Sequence, residues 1–232
     1  MRASFTPDLQ IENEYLITGD RLHHLVKVIR IEEGDELLLI NGQGLQVKTK
    51  VLVATKRELR LGFLESHKAP RKYLMDLALG MPKREALELC LKEATELGFR
   101  RIFLIRSEFS QMKYPDDDRV ENLIVSAMEQ SNAPFLPIVT QTEWEKLPWN
   151  EFDQSVLMDS QTQDKVWKSS EFKNELPNLL IVGPEGGFSP VELGYLHQQA
   201  NLKVLNLPTP ILRSPTALAT GAGFLLQSLL NR

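Results

Sequence analysis

Two rhythms of apolar and polar residues divide this chain. In the first part, up to about Glu65, the period is two. Val47, Thr49, Val51 and Val53 alternate with mostly polar neighbours, and Leu59, Leu61 and Phe63 repeat the pattern. Successive side chains of a strand point to opposite faces, so this spacing predicts strands with one wet face. Leu37-Leu38-Leu39-Ile40 is a further strand, stopped by the turn-forming run Asn41-Gly42-Gln43-Gly44. Asp20 is placed to cap a brief helix through His23, His24, Leu25 and Val26. Several short strands of this kind suit a small β-barrel. Ser66-His67-Lys68-Ala69-Pro70-Arg71-Lys72 is polar and contains proline, which makes it a candidate linker.

Beyond it the rhythm changes. Short apolar strands at Leu74–Leu79, Ile102–Ile105, Val156–Met158, Leu179–Val182 and Val204–Leu207 alternate with helical stretches. That alternation predicts an α/β domain, a parallel sheet with helices on both faces. Pro82 can take a first helical position, and Leu87, Leu91 and Ala94 recur at helical spacing until Gly98. Asp118 and Glu121 have capping-box spacing on the stretch that carries Val120, Leu123, Ile124, Ala127 and Met128, and Ser189-Pro190-Val191-Glu192 is a second capping box with proline at its first position. The expected division is a β-barrel over 1–68 and the α/β domain over 72–232.

Composition narrows the class. The 232 residues are 42% hydrophobic and 25% charged, which is ordinary for a soluble globular protein. No apolar run reaches the roughly 18 residues of a membrane span, and the N-terminus lacks the apolar core of a signal peptide. The lone cysteine, Cys90, sits in a helical pattern, excludes an internal disulfide framework and suits a reducing cytoplasm. His67 and His197 show no metal-ligand spacing with each other or with Cys90, so no metal is expected. The net charge is −4, with 10 basic and 10 acidic residues up to Pro70 and 17 and 21 after it. Neither part is a basic domain, so any nucleic-acid contact must come from a local patch.

The candidate chemistry lies late in the chain. Asn178-Leu179-Leu180-Ile181-Val182 runs directly into Gly183-Pro184-Glu185-Gly186-Gly187-Phe188 and then the Ser189 cap. Strand, glycine loop and helix start are the grammar of an α/β ligand site, although the same run is also a tight turn without a ligand. The spacing is not that of a dinucleotide fingerprint, and no Gly-Lys-Ser or Gly-Lys-Thr phosphate loop occurs. Leu207-Pro208-Thr209-Pro210-Ile211-Leu212-Arg213 follows the last strand, and Ser214-Pro215 supplies a cap and first-position proline for a terminal helix. That helix carries Ala217, Ala219, Gly221, Ala222 and Gly223, small residues that allow close approach to another element or to a ligand. Arg213 is either a functional cation or an ordinary surface arginine.

GPEGGFS after a strand, followed about 25 residues later by ILR-x-x-TAL, resembles the SPOUT class of knotted methyltransferases. Within it the chain is similar to the ribosomal RNA small subunit methyltransferase E family, through HHLVKVIRIEEGDELLLINGQG, MPKREALELCLKEATELGFRRIFLIRSEFSQ and AMEQSNAPFLP in the family's order. The resemblance implies an N-terminal PUA-like RNA-binding barrel, then a parallel sheet tied in a deep trefoil knot. It implies transfer of a methyl group from S-adenosyl-L-methionine to N3 of a uridine in 16S ribosomal RNA or the small ribosomal subunit, by a cytoplasmic homodimer with neither metal nor membrane. Met158, Gly183, Pro184, Glu185, Gly186, Gly187, Leu207, Pro208, Ile211, Leu212, Thr216 and Ala217 would then hold the cofactor. Arg213 would be catalytic, because its permanently charged fork can steady a uracil anion. His24, Lys27, Arg30, Gln130 and Asn132 would contact RNA, though His23 and His24 are equally well read as surface histidines, and Glu129–Asn132 as a solvated helix end.

The chain departs from the family pattern in places. Pro208 stands where a glycine is usual, Pro210 and Phe109 where arginines are, Pro215 where a glutamate is, and Ala133 where an arginine follows EQSN. These changes remove charge near the expected pocket. They open an alternative reading, a catalytically weak or retargeted RNA-binding relative that keeps the donor pocket. Trp144, Trp149 and Trp167 are expected only to pack.

Overall fold

The computed structural model describes residues 1–71, 74–110, 113–160 and 177–230. Two compact units emerge: Met1–Arg71 with Met128–Leu136, and Lys72–Ala127 with Pro137–Arg232.

The first unit contains β1 (Arg2–Phe5), β2 (Glu14–Ile17), α1 (Gly19–His23), β3 (Glu36–Ile40), β4 (Leu45–Ala54) and β5 (Leu59–Lys68). They form one sheet in the order β1-β3-β4-β5-β2, with β1 parallel to β3 and the other pairs antiparallel. β3 is apolar on both faces because both are covered. Leu37 and Leu39 pack with Val47, Val51, Leu59, Leu61 and, from α1 and the turn after it, Leu22 and Leu25. Leu38 and Ile40 pack with Ala3 and Met128. Register shifts at Lys48/Thr49 and Val51/Val53 are bulges in the long β4–β5 hairpin, and bulges bend a strand and increase its twist. The turn after β3 is built as its residues require. Asn41 Oδ1 accepts from the amides of Gln43 and Leu45 at 2.8 and 3.0 Å, and Gly42 and Gly44 take φ of 71° and 100°.

Three sequence expectations change in this unit. Thr18, not Asp20, is the N-cap of α1, and Asp20 lies in the first turn, where a carboxylate still favours the positive helix end. The helix does not run regularly through Val26 but passes into a π-helical turn, His24–Val28. Ser66, His67 and Lys68 belong to β5 rather than to a linker, with His67 opposite Gln46 and Lys68 opposite Leu45. The far half of that hairpin is exposed, so its strand residues are as polar as a linker's. Lys72 lies outside the described residues.

The second unit contains β6 (Met75–Gly80), α2 (Arg84–Glu96), β7 (Arg101–Ile105), the body of α3 (Asp117–Ser131), β8 (Ile138–Thr142), β9 (Gln154–Met158), β10 (Asn178–Val182), α4 (Pro190–Leu196), β11 (Leu202–Leu205) and α5 (Ser214–Leu230). Its six strands are all parallel, in the order β11-β9-β10-β6-β7-β8. On one face Ala78, Phe103, Leu157, Leu179 and Ile181 pack with Leu196 of α4, Trp144 and Phe152. On the other lie α2 and α5. The expected parallel sheet with helices on both faces is thus present. Trp167 lies outside the described residues.

Gly221 shows what the small residues of α5 are for: a Cβ there would stand 2.8 Å from Leu180 Cδ1 and 2.9 Å from Met158 Sδ. The helix backbone lies directly on β9 and β10. In α2, Leu87, Cys90, Leu91 and Ala94 are buried, and burial, with help from Glu93 and Glu185, pushes the Cys90 thiol far above its ordinary value. Two caps differ from expectation. Lys83 is the N-cap of α2, so Pro82 precedes the helix instead of opening it. Asp116 Oδ1 accepts from the amides of Asp118 and Arg119 at 3.0 and 3.4 Å, so Asp116 rather than Asp118 serves the start of α3. Asp118 is itself one of the first-turn donors. At the amino-terminal edge of the sheet, fully buried Asp76 receives Arg100 Nε and Nη2 at 3.0 and 2.7 Å and Arg101 Nε at 2.8 Å.

Among the described residues no helix is long and apolar enough to cross a membrane. Substituting Gly221→Val forces side-chain atoms into Leu180 and Met158. An unfolding titration in urea is expected to show a loss of about 1–3 kcal/mol, the usual cost of overpacking.

Candidate functional site

The carboxyl edge of the parallel sheet is where the second unit opens. Parallel strands leave backbone groups and helix starts at this edge, which is why ligands bind there. Two loops enclose a cavity of about 190 Å³. One is the glycine loop that follows β10, and the other is the stretch between β11 and α5. Met158 and Asp159, at the end of β9, complete one side.

Contacts that leave no room for a Cβ fix the glycine loop. A Cβ on Gly80 would meet Pro184 Cδ at 2.8 Å, one on Gly183 the Phe188 ring at 2.9 Å, and one on Gly186 Phe109 Cβ at 2.9 Å. Gly187 takes φ of 72°, a backbone state that L side chains rarely adopt. Polar ties reinforce this packing. Ser214 Oγ donates to the Gly183 carbonyl at 2.8 Å, joining the two pocket loops. Its hydroxyl therefore serves the pocket rather than capping α5 as expected, and the Arg213 carbonyl accepts the first bond of that helix, from the Ala217 amide at 2.8 Å. The Lys83 amide donates to both oxygens of Glu185 at 3.1 Å.

Behind the loop, Ser189 and Glu192 form the expected capping box on α4. Glu192 does more than close that box. Its Oε1 accepts from Ser107 Oγ at 2.6 Å, Trp144 Nε1 at 2.8 Å and the Glu108 amide at 3.2 Å. Its Oε2 accepts from the Ser189 amide at 2.9 Å. Burial by itself would raise this carboxyl's pKa. The donors from Ser107, Ser189, Trp144 and Glu108 outweigh it and hold the group below its ordinary value. Trp144 thus does more than pack.

The cavity gathers Met158, Gly183, Pro184, Glu185, Gly186 and Gly187 from the residues expected at the cofactor, together with Leu207, Ile211, Leu212 and Ala217. Pro208 and Thr216 are exposed and stand outside its lining, and Arg213 is exposed at the mouth of α5. Arg213 makes no side-chain hydrogen bond or ion pair among the described residues. Thr209 and Pro210, within the expected Leu207–Leu212 segment, and Phe188 of the glycine loop also line the cavity, as do Asp159 and Ser214, which were not foreseen. Asp159 could have been found from its place directly after a parallel strand.

Comparison with known proteins decides the class. Residues 69–225 match the RNA methyltransferase domain, and residues 17–64 match the RNA methyltransferase PUA domain. The chain belongs to the RNA methyltransferase family. It is 27% identical to the ribosomal RNA small subunit methyltransferase E of Rickettsia conorii over 209 residues, covering 88% of this chain and 86% of that one. The Bacillus subtilis protein of the same name is also 27% identical, with the same coverage, over 220 residues. In fold it is similar to the Neisseria gonorrhoeae ribosomal RNA small subunit methyltransferase E bound to S-adenosyl methionine, with a TM-score of 0.83 at 19% identity, over 98% of this chain and 97% of that one.

In this RNA methyltransferase the residues expected at RNA all fall in the first unit. His24 and Lys27 are exposed on the π-helical turn, and Arg30, also exposed, takes φ of 55° with its carbonyl accepting from Arg2 Nη1 at 3.3 Å. Gln130 is exposed on the last turn of α3. Asn132 takes φ of 57° just past that helix, and its carbonyl accepts from Gln46 Nε2 at 3.2 Å. Its position is explained by helix termination, which favours Asn in a left-handed state. Ala133, in the place of the family's arginine, packs against the cluster of Ala3, Leu38, Ile40 and Met128. Arg21 was not foreseen: it donates to Ser4 Oγ at 3.0 Å and to Thr6 Oγ1. Burial lowers its pKa, and Glu129 opposes that shift.

Two outcomes are expected. Glu192→Ala leaves several buried donors without an acceptor and should cost about 3 kcal/mol in thermal or urea unfolding. Because the folded carboxyl titrates below its unfolded value, its stabilisation is complete above the unfolded pKa and is lost as pH falls through the folded one. Glu192→Gln should therefore flatten the acid limb of the stability–pH curve, read by unfolding at a series of pH values.

Proposed function

We propose that this chain transfers a methyl group from S-adenosyl-L-methionine to N3 of a uridine in 16S ribosomal RNA. The observation that carries the reading is the cavity between the two fastened loops, whose lining includes Gly183, Gly186 and Gly187, with open space beside the α-carbon of Gly187. Among the described residues, Asp159 and Glu185 are the charged ones that line it, and no lysine, arginine or histidine does. A lining without cationic side chains among the described residues fits a cationic sulfonium. The name and bound ligand of the Neisseria gonorrhoeae protein, and the names of the curated relatives, support the same assignment.

When bound, the donor supplies an electrophilic methyl group on sulfur. Everything else falls to the chain. The glycine-loop backbone orients the donor, and Val182, Leu205 and Leu193 keep water from one side of it. N3 of uracil carries a proton, and the anion left when it departs spreads its charge over the flanking carbonyl oxygens. Arg213 lies between Leu212 and Ser214, both of which line the cavity, and its guanidinium, unpaired among the described residues, steadies that anion. His24, Lys27 and Arg30 on the PUA domain, with Gln130 and Asn132, hold the RNA chain. The target base leaves its stack to reach the methyl group. The trefoil knot belongs to the same reading, with the bridged loops at Gly183 and Ser214 as the segments it draws together. So do a homodimer and a cytoplasmic setting.

A second reading is favoured by one observation. Two of the family's charged positions near the pocket are here Pro210, exposed, and Pro215, buried. A donor-binding relative with weak or redirected RNA methylation would look the same.

Calorimetry should show the wild-type chain binding S-adenosyl-L-methionine; a chain that binds none ends the proposal. Arg213→Ala should keep donor affinity and lose about 100-fold or more in methyl-transfer rate on small-subunit RNA. Mass spectrometry of ribosomal RNA from a strain lacking the gene separates the two readings: 3-methyluridine disappears under the first and is unchanged under the second.

A further inference from the structure

We propose that Glu185 is a positioning residue and not a ligand of the donor: it closes a capping box on α2 from outside that helix and so ties the shape of the donor loop to the start of α2. The proposal rests on the donor reading of the cavity given above. In an ordinary capping box, a carboxylate three residues into the helix accepts from the N-cap amide. On α4 the arrangement is of that kind, with Glu192 accepting from the Ser189 amide. On α2 the N-cap is Lys83, whose own side chain makes no cap bond, and residue N3 is Ala86. No carboxylate stands where the box needs one.

Glu185 supplies it across 102 positions of sequence. Both of its oxygens accept from the Lys83 amide at 3.1 Å. The same stretch of chain is held from the next strand: Pro184 rests against Gly80, at the end of β6, so closely that a Cβ there would lie 2.8 Å from Pro184 Cδ. Gly80 and Lys83 flank the short passage from β6 into α2. The donor loop therefore touches that passage at both ends, by packing at Pro184 and by charge at Glu185. A carboxylate turned toward the positive end of α2 is directed away from the role of counter-ion to the sulfonium. Reciprocity follows, because a donor that favours this loop conformation also favours a closed α2 cap.

Affinities of the full-length chain for S-adenosyl-L-methionine and for S-adenosylhomocysteine, which lacks the sulfonium charge, test this in wild type, Glu185→Ala and Glu185→Gln. Glu185→Ala is expected to weaken both ligands by a similar factor, about five- to tenfold. Glu185→Gln, whose amide oxygen can still accept from Lys83, should recover most of that loss. Hydrogen exchange at the first turn of α2 should quicken in Glu185→Ala and slow when donor is added to wild type. A loss confined to the cationic ligand, or equal losses in the Gln and Ala variants, would overturn the proposal in favour of direct charge contact. Unaltered affinities in Glu185→Ala would overturn it too. Should the wild-type chain bind neither ligand, the donor reading fails, and the exchange rates alone decide whether Glu185 closes the α2 cap.

Discussion

One carboxylate holds the back of the site together. Glu192 sits at the start of α4, yet its donors come from Ser107 and Glu108 after β7, from Trp144 in the connection after β8, and from its own cap at Ser189. Three separate stretches of chain converge on two oxygen atoms. A buried carboxylate is tolerated only when its lone pairs are met, and here they are met from every side. The glycine loop ends at Phe188, immediately before this cluster, and so inherits its rigidity. Phe109, which packs on Gly186, follows Ser107 and Glu108 directly and is held by the same group. A loop made largely of glycine has little conformational preference of its own. Its shape is imposed by neighbours.

That division of labour explains why the loop can be open and still be defined. Backbone amides left bare for a ligand cannot also be used to hold the loop in place. The holding is done through other groups of the loop: the carbonyl of Gly183, the ring of Pro184, the carboxylate of Glu185 and the α-carbon of Gly186. Each contact comes from a different element. The parallel sheet makes this possible, since it delivers the ends of β6, β7, β9 and β10 to one edge.

Much of this was legible in the residues. The change from period two to strand–helix alternation marked the parallel sheet, and Ser189-Pro190-Val191-Glu192 marked the start of α4 correctly. Both are local signals with a local cause. The errors arose where a local signal had two outlets. Asp20, Asp118 and Pro82 each suit a helix start, but the neighbours Thr18, Asp116 and Lys83 took the position. The polar run Ser66–Lys68 could be linker or exposed strand, and pairing with Leu45 and Gln46 decided it. Ser214 had the spacing of a cap, and a carbonyl 31 positions earlier claimed its hydroxyl instead. Long-range partners of this sort leave no trace in a window of sequence. Glu185 is the clearest instance: it lines the expected pocket, and its hydrogen bonds also reach a helix 102 positions away.

The opposite edge of the sheet carries its own anchor. Asp76 is wholly buried beneath Arg100 and Arg101, and Arg101 continues to Glu151 at 2.6 Å. This cluster lies at the amino ends of the strands, opposite the loops that line the cavity. Mechanical security and recognition are thus written into separate ends of the same strands. A lineage can then exchange arginines for a proline, a phenylalanine or an alanine without disturbing what keeps the sheet assembled. Such an architecture can be inherited intact while the choice of RNA drifts, and identity near 27% to its relatives is what that freedom leaves behind.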